Sequence, residues 1–504
     1  MSNETQAPFG TIRSFLWPIY RHEVKKIVPM IFILFFICFN YSIVRNMKDS
    51  MVVTASGAEV IPFIKLWVML PSAVLLTTLY SLLCNRFSQE NVFYMIVTAF
   101  LGGFALFAWV LYPMRDALMP QESAEWLAAH LPNGLGGLVS MYKNWTLTAF
   151  YVISELWGSM VLSVLFWGFA NEVTKLSEAS RFYSVFPMWL NVSTIFASQV
   201  SNWVTRGNMQ LSKGAVWDAT LPILVTFLIV SGILSMLAFW WTNRTILKGK
   251  EYEALHTAVK ESKKPNKKSM SFWESFSYVM NSKYLLCIAT IVIAYNLSIN
   301  LVEIVWKDQL RNLYPQAADY NMFMNNLMTI TAILSSVMAI LIAKIMGRWG
   351  WTKTALITPV VIFVTSAGFF FFTFFNQNLG DAFLATLGAS PLAIAVMFGA
   401  AQNALTKASK YSVFDATKEM AYIPLPHESK LKGKAAIDGV GSRLGKSGGS
   451  LIHQSLLMIF VTVSQAAPVV SVILFASVIF WFYAVKELGY HFKEISDAKE
   501  ATSQ

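Results

Sequence analysis

Long apolar runs separated by short polar breaks set the pattern of this chain. A helix that crosses a membrane needs roughly 20 mostly apolar residues. Twelve stretches qualify: 27–47, 61–83, 91–112, 147–171, 182–205, 219–242, 284–306, 322–346, 353–375, 387–406, 437–464 and 468–486. The pattern predicts an all-α membrane protein of about twelve transmembrane helices. The fifth and eleventh stretches are the richest in polar and small residues, and such helices face a cavity or other helices rather than lipid. The first 26 residues are largely polar and end in Arg21-His-Glu-Val-Lys-Lys26. The apolar run that follows has no small-residue cleavage site, so it reads as a first anchor and not as a cleavable signal.

Composition agrees with the pattern. Of 504 residues, 55% are apolar and only 13% charged, with a mean hydropathy of +0.51, whereas soluble domains carry about 25% charged residues. Cys38, Cys84 and Cys287 lie in or at the edge of apolar runs, so neither a disulfide framework nor a zinc spacing is present. The net charge of +11 raises the question of a nucleic-acid partner. Its placement answers otherwise. With the N-terminus in the cytoplasm, cytoplasmic segments hold 28 of the 39 Lys and Arg residues, nine of them between Arg244 and Lys283. That bias is the positive-inside signal; it places both termini in the cytoplasm and leaves no reason to expect nucleic acid.

The basic connection, with Lys260-Glu-Ser-Lys-Lys-Pro-Asn-Lys-Lys268, divides the chain six plus six. The expected parts are a cytoplasmic N-terminal segment 1–26, a six-helix bundle 27–242, a basic linker 243–283, a second bundle 284–486 and a cytoplasmic tail 487–504. The halves echo each other in order. Asn40-Tyr-Ser-Ile43 before Lys48-Asp49 returns as Asn296-Leu-Ser-Ile299 before Lys307-Asp308; Arg86-Phe-Ser returns as Arg348-Trp-Gly; Phe166 with Asn171-Glu-Val-Thr-Lys175 returns as Phe398 with Asn403-Ala-Leu-Thr-Lys407. Two such pseudo-repeats are the major-facilitator-like arrangement, with substrate bound near the midplane between halves.

An ionised side chain near the bilayer centre costs roughly 2.5–3.5 kcal/mol on insertion scales, so intramembrane charges are functional candidates. Glu155 lies in the fourth helix on a face with Ser159 and Ser163; Glu303 lies near the end of the seventh with Asn296, Asn300 and Lys307; Lys65 opens the second. Helix-end charges such as Lys65 and Glu303 also have the ordinary option of snorkelling to the interface. Glu155 has that of pairing with a cation on another helix. Arg443 and Lys446 share a turn of the eleventh helix, and two like charges there call for a counter-anion. Five glycines surround them (Gly439, Gly441, Gly445, Gly448, Gly449), leaving room for a ligand or, alternatively, for close helix packing. Gly441-Ser-Arg-Leu-Gly445-Lys446-Ser447 fails as a phosphate loop: Val440 stands where glycine is required, and no strand precedes it. Lys and Arg nevertheless remain apt for neutralising phosphate, Arg by a bidentate fork. Metal-ligand spacings, Ser/His/Asp arrays and redox motifs are lacking, and His453 and the other histidines are scattered, so a secondary transporter without a cofactor is expected, not an enzyme.

At these residues the chain resembles the ATP/ADP translocase (nucleotide transporter) family of obligate intracellular bacteria and plastids. The resemblance spans about residues 12–490. It rests on Arg13-Ser-Phe-Leu-Trp-Pro-Ile19, Lys48-Asp49, Val52-Val-Thr-Ala55, Gly57-Ala-Glu59, Pro62-Phe-Ile-Lys65, Ser154-Glu-Leu-Trp-Gly158, Phe169-Ala-Asn-Glu172 and Arg181-Phe-Tyr183 in the first half. In the second half it rests on Asn300-Leu-Val-Glu303, Phe414-Asp-Ala-Thr-Lys-Glu-Met-Ala-Tyr-Ile-Pro424, Lys432-Gly-Lys-Ala435 and Arg443-Leu-Gly-Lys-Ser-Gly-Gly449. The resemblance implies exchange of bacterial ADP for host ATP, an energy parasitism, by a carrier in the bacterial inner membrane. Four charged positions important for transport in the family fall on Lys65, Glu155, Glu303 and Lys446. Lys48 competes with Lys65 for the first. Arg443 joins them as a phosphate contact on physical grounds, and Asn191 because its helix, the fifth, is the repeat counterpart of the one carrying Lys446. Where the family continues after Arg181-Phe-Tyr with Phe-Gly and small residues, this chain has Phe186-Pro-Met-Trp-Leu190, which bears on base selectivity. The expected partners are ATP and ADP, with other nucleotides and phosphate as a wider set, and the lipid bilayer; the expected state is a monomer. The competing transport reading is a broader or proton-coupled nucleotide importer working through Glu155 or Glu303. A lipid-phosphate enzyme and a passive channel are the readings from other classes.

Overall fold

The structure, a computed structural model, describes residues 17–245, 279–375, 388–426 and 436–503, with Arg13, Ser277, Gly433 and Lys434 besides. Most of the N-terminal segment and of the 243–283 linker therefore lies outside the described residues. Everything regular in them is helical, and no strand occurs among them.

The helices are α1 (Val24–Ser56), α2 (Val60–Arg86), α3 (Gln89–Leu111), α4 (Gln121–His130), α5 (Gly136–Lys143), α6 (Trp145–Val173), α7 (Leu176–Gly207) and α8 (Lys213–Thr245). The second half has α9 (Lys283–Leu313), α10 (Ala317–Ala355), α11 (Ile357–Phe374), α12 (Pro391–Ser409), α13 (Asp415–Ala421), α14 (Ser442–Phe460) and α15 (Val463–Ser503). Local chemistry sets the boundaries. Ser88, Ser282 and Ser390 each accept a hydrogen bond from the backbone N–H three residues on, at 3.2–3.3 Å, capping α3, α9 and α12. Gly57 ends α1 at φ +88°, a left-handed turn that a side chain would resist. Gly350, at φ +72°, breaks α10 near its end.

Nine of the described helices are long and apolar enough to cross a membrane: α1, α2, α3, α6, α8, α9, α10, α11 and α15. The three remaining expected spans are also helical, as α7, α12 and α14, but their polar faces keep them below that threshold. Two of these are the fifth and eleventh stretches, the richest in polar and small residues.

The chain divides into two compact units: Met1–Met47, Val74–Pro113 and Ile153–Asn266 form one; Lys48–Ala73, Met114–Val152 and Lys267–Gln504 form the other. In the first, α1 is the central post. Trp157 of α6, Ser193 of α7 and Ser231 of α8 donate to the carbonyls of Ile37, Phe35 and Phe36 at 3.1, 2.6 and 3.1 Å. With apolar surface on every side, small residues and such side-chain donors make the helix-to-helix contacts specific. Ion pairs Lys26–Glu178 (2.5 Å) and Glu23–Arg181 tie the starts of α1 and α7.

In the second unit α9 plays that part. Tyr284 donates to the Ala421 carbonyl at 2.6 Å, Trp306 to Val396 at 3.0 Å, and His453 of α14 meets the Leu301 carbonyl at 3.1 Å. The long connection after α3 folds into α4 and α5. Its Gly134 lies so close to the Met458 backbone of α14 that an added Cβ would come within 2.3 Å, and Gly137 lies against the Phe63 ring of α2.

Candidate functional site

Charged side chains gather inside the second unit. α1 carries Lys48 and Asp49 in adjacent positions, and α9 carries Glu303 and Lys307 one turn apart. Lys48 Nζ lies 2.9 Å from Asp49 Oδ1, Lys307 Nζ 2.9 Å from Asp49 Oδ2 and 3.2 Å from Glu303 Oε1. Lys65 of α2 closes the row, 4.0 Å from Glu303 Oε2 and donating to Asn300 Oδ1 at 3.3 Å. Three cations alternate with two carboxylates along the row. Lys48, Asp49 and Lys307 are 2–3% exposed. The Lys65 and Glu303 side chains are 26% and 19% exposed, so the row is sealed at one end and open at the other. Lys48 also sits over the buried Tyr151 ring of α6, 3.8 Å from its centroid.

The row accounts for a sequence echo. Lys48-Asp49 and Lys307-Asp308 are the repeated pair, and their two lysines converge on the single carboxylate of Asp49. Asp308 does not join them; it accepts from Ser464 of α15 at 2.7 Å. The sequence contained the signal in the doubled Lys-Asp, which marks a repeat before it marks a site. Burial, which periodicity does not reveal, is what turns these residues into site components.

Lys446 and Arg443 sit on α14, beside this row in the same unit. The Lys446 position is exposed, and the Arg443 side chain lies outside the described residues. The surrounding glycines divide by role. A Cβ on Gly445 would lie 2.7 Å from Asn296 Cβ, and one on Gly449 2.8 Å from Asn300 Cβ; one on Gly441 would be in ordinary contact, 3.9 Å from Ile293. These three form a seam, spaced by four, along which α14 packs on α9. Gly448 faces open space. Close packing, not ligand room, therefore explains most of that glycine set, and the seam holds the Lys446 helix against the Asn300 that Lys65 touches. Gln454 of α14 adds a second tie, donating to the Pro62 carbonyl three residues before Lys65 at 2.9 Å.

Glu155 and Asn191 belong to the first unit, both half-buried. Just past Glu155, α6 turns into a π-helical stretch, Trp157–Phe166. Ser159 and Ser163 both lie within it. Ser159 donates to the Leu156 carbonyl at 3.1 Å and Ser163 to Gly158 at 3.0 Å. Lys65 lies within another π-helical stretch, Ile64–Met69, and α14 follows a third, Ile437–Gly441. Such stretches are rare and are frequent at functional sites. Phe186, one of the bulky residues after Arg181, is buried between Phe166 and Trp167, with centroids at 5.6 and 5.8 Å, and so packs the bundle. Among the described residues no group of three or more His, Cys, Asp or Glu is placed to hold a metal ion.

A row of alternating charges with a lysine at its open end suits an anion, and comparison with known proteins bears on which. The family model described as "TLC ATP/ADP transporter" matches residues 2–492. The chain belongs to this family. It is 44% identical over 504 residues to ADP,ATP carrier protein 1 of Chlamydia muridarum (strain MoPn / Nigg), covering 99% of this chain and 94% of that one. It is 40% identical over 503 residues to ADP,ATP carrier protein 1 of Rickettsia typhi (strain ATCC VR-144 / Wilmington), covering 99% of each. Among solved structures, a bacterial homologue of the iron transporter ferroportin in an inward-facing state aligns with a TM-score of 0.54 at 13% identity, over 92% of this chain and 100% of that one. A D-xylose-proton symporter aligns with a TM-score of 0.53 at 11% identity, over 92% and 96%. At such identities the likeness shows the fold alone: this family member is an all-α, major-facilitator-like carrier.

Proposed function

We propose that this chain exchanges ATP for ADP across a membrane by alternating access. The observation that carries the reading is the alternating row Lys48–Asp49–Lys307–Glu303–Lys65, sealed at one end and open at Lys65. Glu303 lies between two lysines, held closely by Lys307 and loosely by Lys65. An arriving phosphate competes with Glu303 for Lys65, while Lys307 keeps Glu303 in place, so the anion replaces one partner without stranding a charge. Charge-assisted hydrogen bonds of this kind are short and strong, and each is worth about 1.5–3 kcal/mol net. Lys446 and Arg443 on α14 supply further positive charge for the phosphate chain; Glu155 and Asn191 are the proposed substrate residues of the first unit. Exchange follows when the occupied row relieves the charge imbalance that keeps the empty carrier from switching.

The names of the relatives, ADP,ATP carrier proteins of Chlamydia and Rickettsia, support this substrate pair. Within the proposal the carrier is a monomer in the bacterial inner membrane with both termini cytoplasmic, its two pseudo-repeats spanning 27–242 and 284–486. Other nucleotides and phosphate are the wider substrate set. The test is uptake of labelled ATP into proteoliposomes preloaded with ADP. Lys446→Ala should abolish exchange; near-normal exchange ends the assignment of Lys446 to phosphate. Uptake into vesicles without internal nucleotide, driven by a proton gradient, would replace exchange with symport.

A further inference from the structure

Within the second unit, α14 reaches both helices that meet at the open end of the charged row. His453 and Gln454 are adjacent on it, and both are buried. His453 Nε2 meets the Leu301 carbonyl of α9 at 3.1 Å, two residues before Glu303. A carbonyl only accepts, so this nitrogen carries the proton. Gln454 Nε2 donates to the Pro62 carbonyl of α2 at 2.9 Å, three residues before Lys65. Two neighbouring side chains thus grip the backbones of the helices whose charges, Lys65 and Glu303, stand 4.0 Å apart.

The glycine seam sets the register of this grip. Gly445 lies against Ile293 and Asn296, and Gly449 against Leu297 and Asn300. Four residues further along each helix, His453 meets Leu301, so it ends the seam with a hydrogen bond. Its Nδ1 is buried and has no partner among the described residues. A buried polar atom without a partner destabilises, so packing alone would be better served by an apolar side chain. On the other side, the Gln454 tie falls two residues ahead of the π-helical stretch Ile64–Met69 that carries Lys65. The connection after α3 braces the same place, with Gly137 on the Phe63 ring and Gly134 on the backbone of Met458, four residues past Gln454.

We infer that His453 and Gln454 are positioning residues for the substrate: they fix how far Lys65 stands from Glu303, and so how readily a phosphate takes Lys65 over. The inference rests on the reading of Lys65 as a phosphate contact. Both ties grip backbone and not the ammonium or the carboxylate, so the Lys65 head can trade one oxygen for another while its helix stays in place. Lys446 lies seven residues before His453, about two turns back on the same helix. One element therefore presents a cation and sets the spacing of another.

The affinity of the purified full-length chain for ATP is measured by titration calorimetry, with the thermal midpoint of each variant taken alongside. Gln454→Met removes the donor and keeps the length; it should raise the Kd on the order of tenfold, the size of coupling between groups in contact. Lys65→Ala should raise the Kd as well. The double variant should then bind no more weakly than Lys65→Ala alone, because no ammonium is left there to position. A purely structural role for Gln454 would instead weaken the double variant further. His453→Leu should weaken ATP in the same way as Gln454→Met, and His453→Gln, which keeps a donor at the reach of Nε2, should restore it. Gln454→Asn, whose amide stops short of Pro62, should show the same rise if Gln454→Met fails to fold. An unchanged Kd in Gln454→Met or His453→Leu, a His453→Gln no better than His453→Leu, or effects that add in the double variant overturn the inference while Lys65 keeps its role. An unchanged Kd in Lys65→Ala ends that role, and the inference with it.

Discussion

At the scale of single residues, Asp49 is the pivot of the buried row. Its carboxylate faces two ammonium groups at 2.9 Å, one from each repeat. Asp49→Asn leaves both lysines buried against a neutral amide, and breaking a buried pair in this way costs about 3–5 kcal/mol. A thermal melt of the purified protein should show a clearly lower midpoint, with exchange lost alongside it. Glu303 predicts the opposite kind of change. Because it competes with phosphate for Lys65, Glu303→Gln should bind nucleotide more tightly and release it more slowly. In exchange assays KM should fall, on the order of tenfold for about 1.4 kcal/mol, while the maximal rate also falls. A raised KM with an unchanged rate would mean that Glu303 holds substrate and does not compete for Lys65.

At the scale of elements, the seam between α9 and α14 gives a paired test. Gly445 has no room for a methyl group, with Asn296 Cβ at 2.7 Å and the Ile293 carbonyl at 2.9 Å from the added atom; Gly448, three residues on, has nothing within 4 Å. Gly445→Ala should cost about 1–3 kcal/mol by overpacking. Gly448→Ala should be neutral or stabilising by up to about 1 kcal/mol, since alanine favours a helix over glycine. Melting both variants settles it; equal midpoints would remove the seam. The sequence placed five glycines around Lys446 and left their purpose open, because spacing by four serves packing and ligand approach alike. Only the neighbouring helix separates Gly445 from Gly448. The π-helical stretch that begins at Trp157 was similarly illegible, since a regular α-helical period does not foretell it.

At the scale of the whole molecule, the all-helical class was legible because lipid leaves so few options: a chain of this hydropathy must satisfy its backbone within helices. Orientation rests on the Lys and Arg bias and is open to a direct check. In a variant lacking the native cysteines, Ser88→Cys and Gly347→Cys should react with an impermeant thiol reagent from the same side as the C-terminus, and Ser123→Cys only from the opposite side. Reaction of all three from one side would refute the proposed topology.

The amino-acid sequence by itself determined the all-helical class, the membrane-spanning character and the family, because hydrophobic period and motif order are properties of the chain read in line. It also singled out Lys65, Glu155, Glu303 and Lys446, since a charge within an apolar run is visible without coordinates. The tertiary structure alone decided which charges meet. Lys48 is the chain neighbour of Asp49, but Lys307 is 258 positions from it, and nothing local to Lys307 sets its distance to Asp49. That distance comes from the packing of α1 against α9, where burial removes the water that would otherwise screen them, and so makes their pairing the feature on which the site depends.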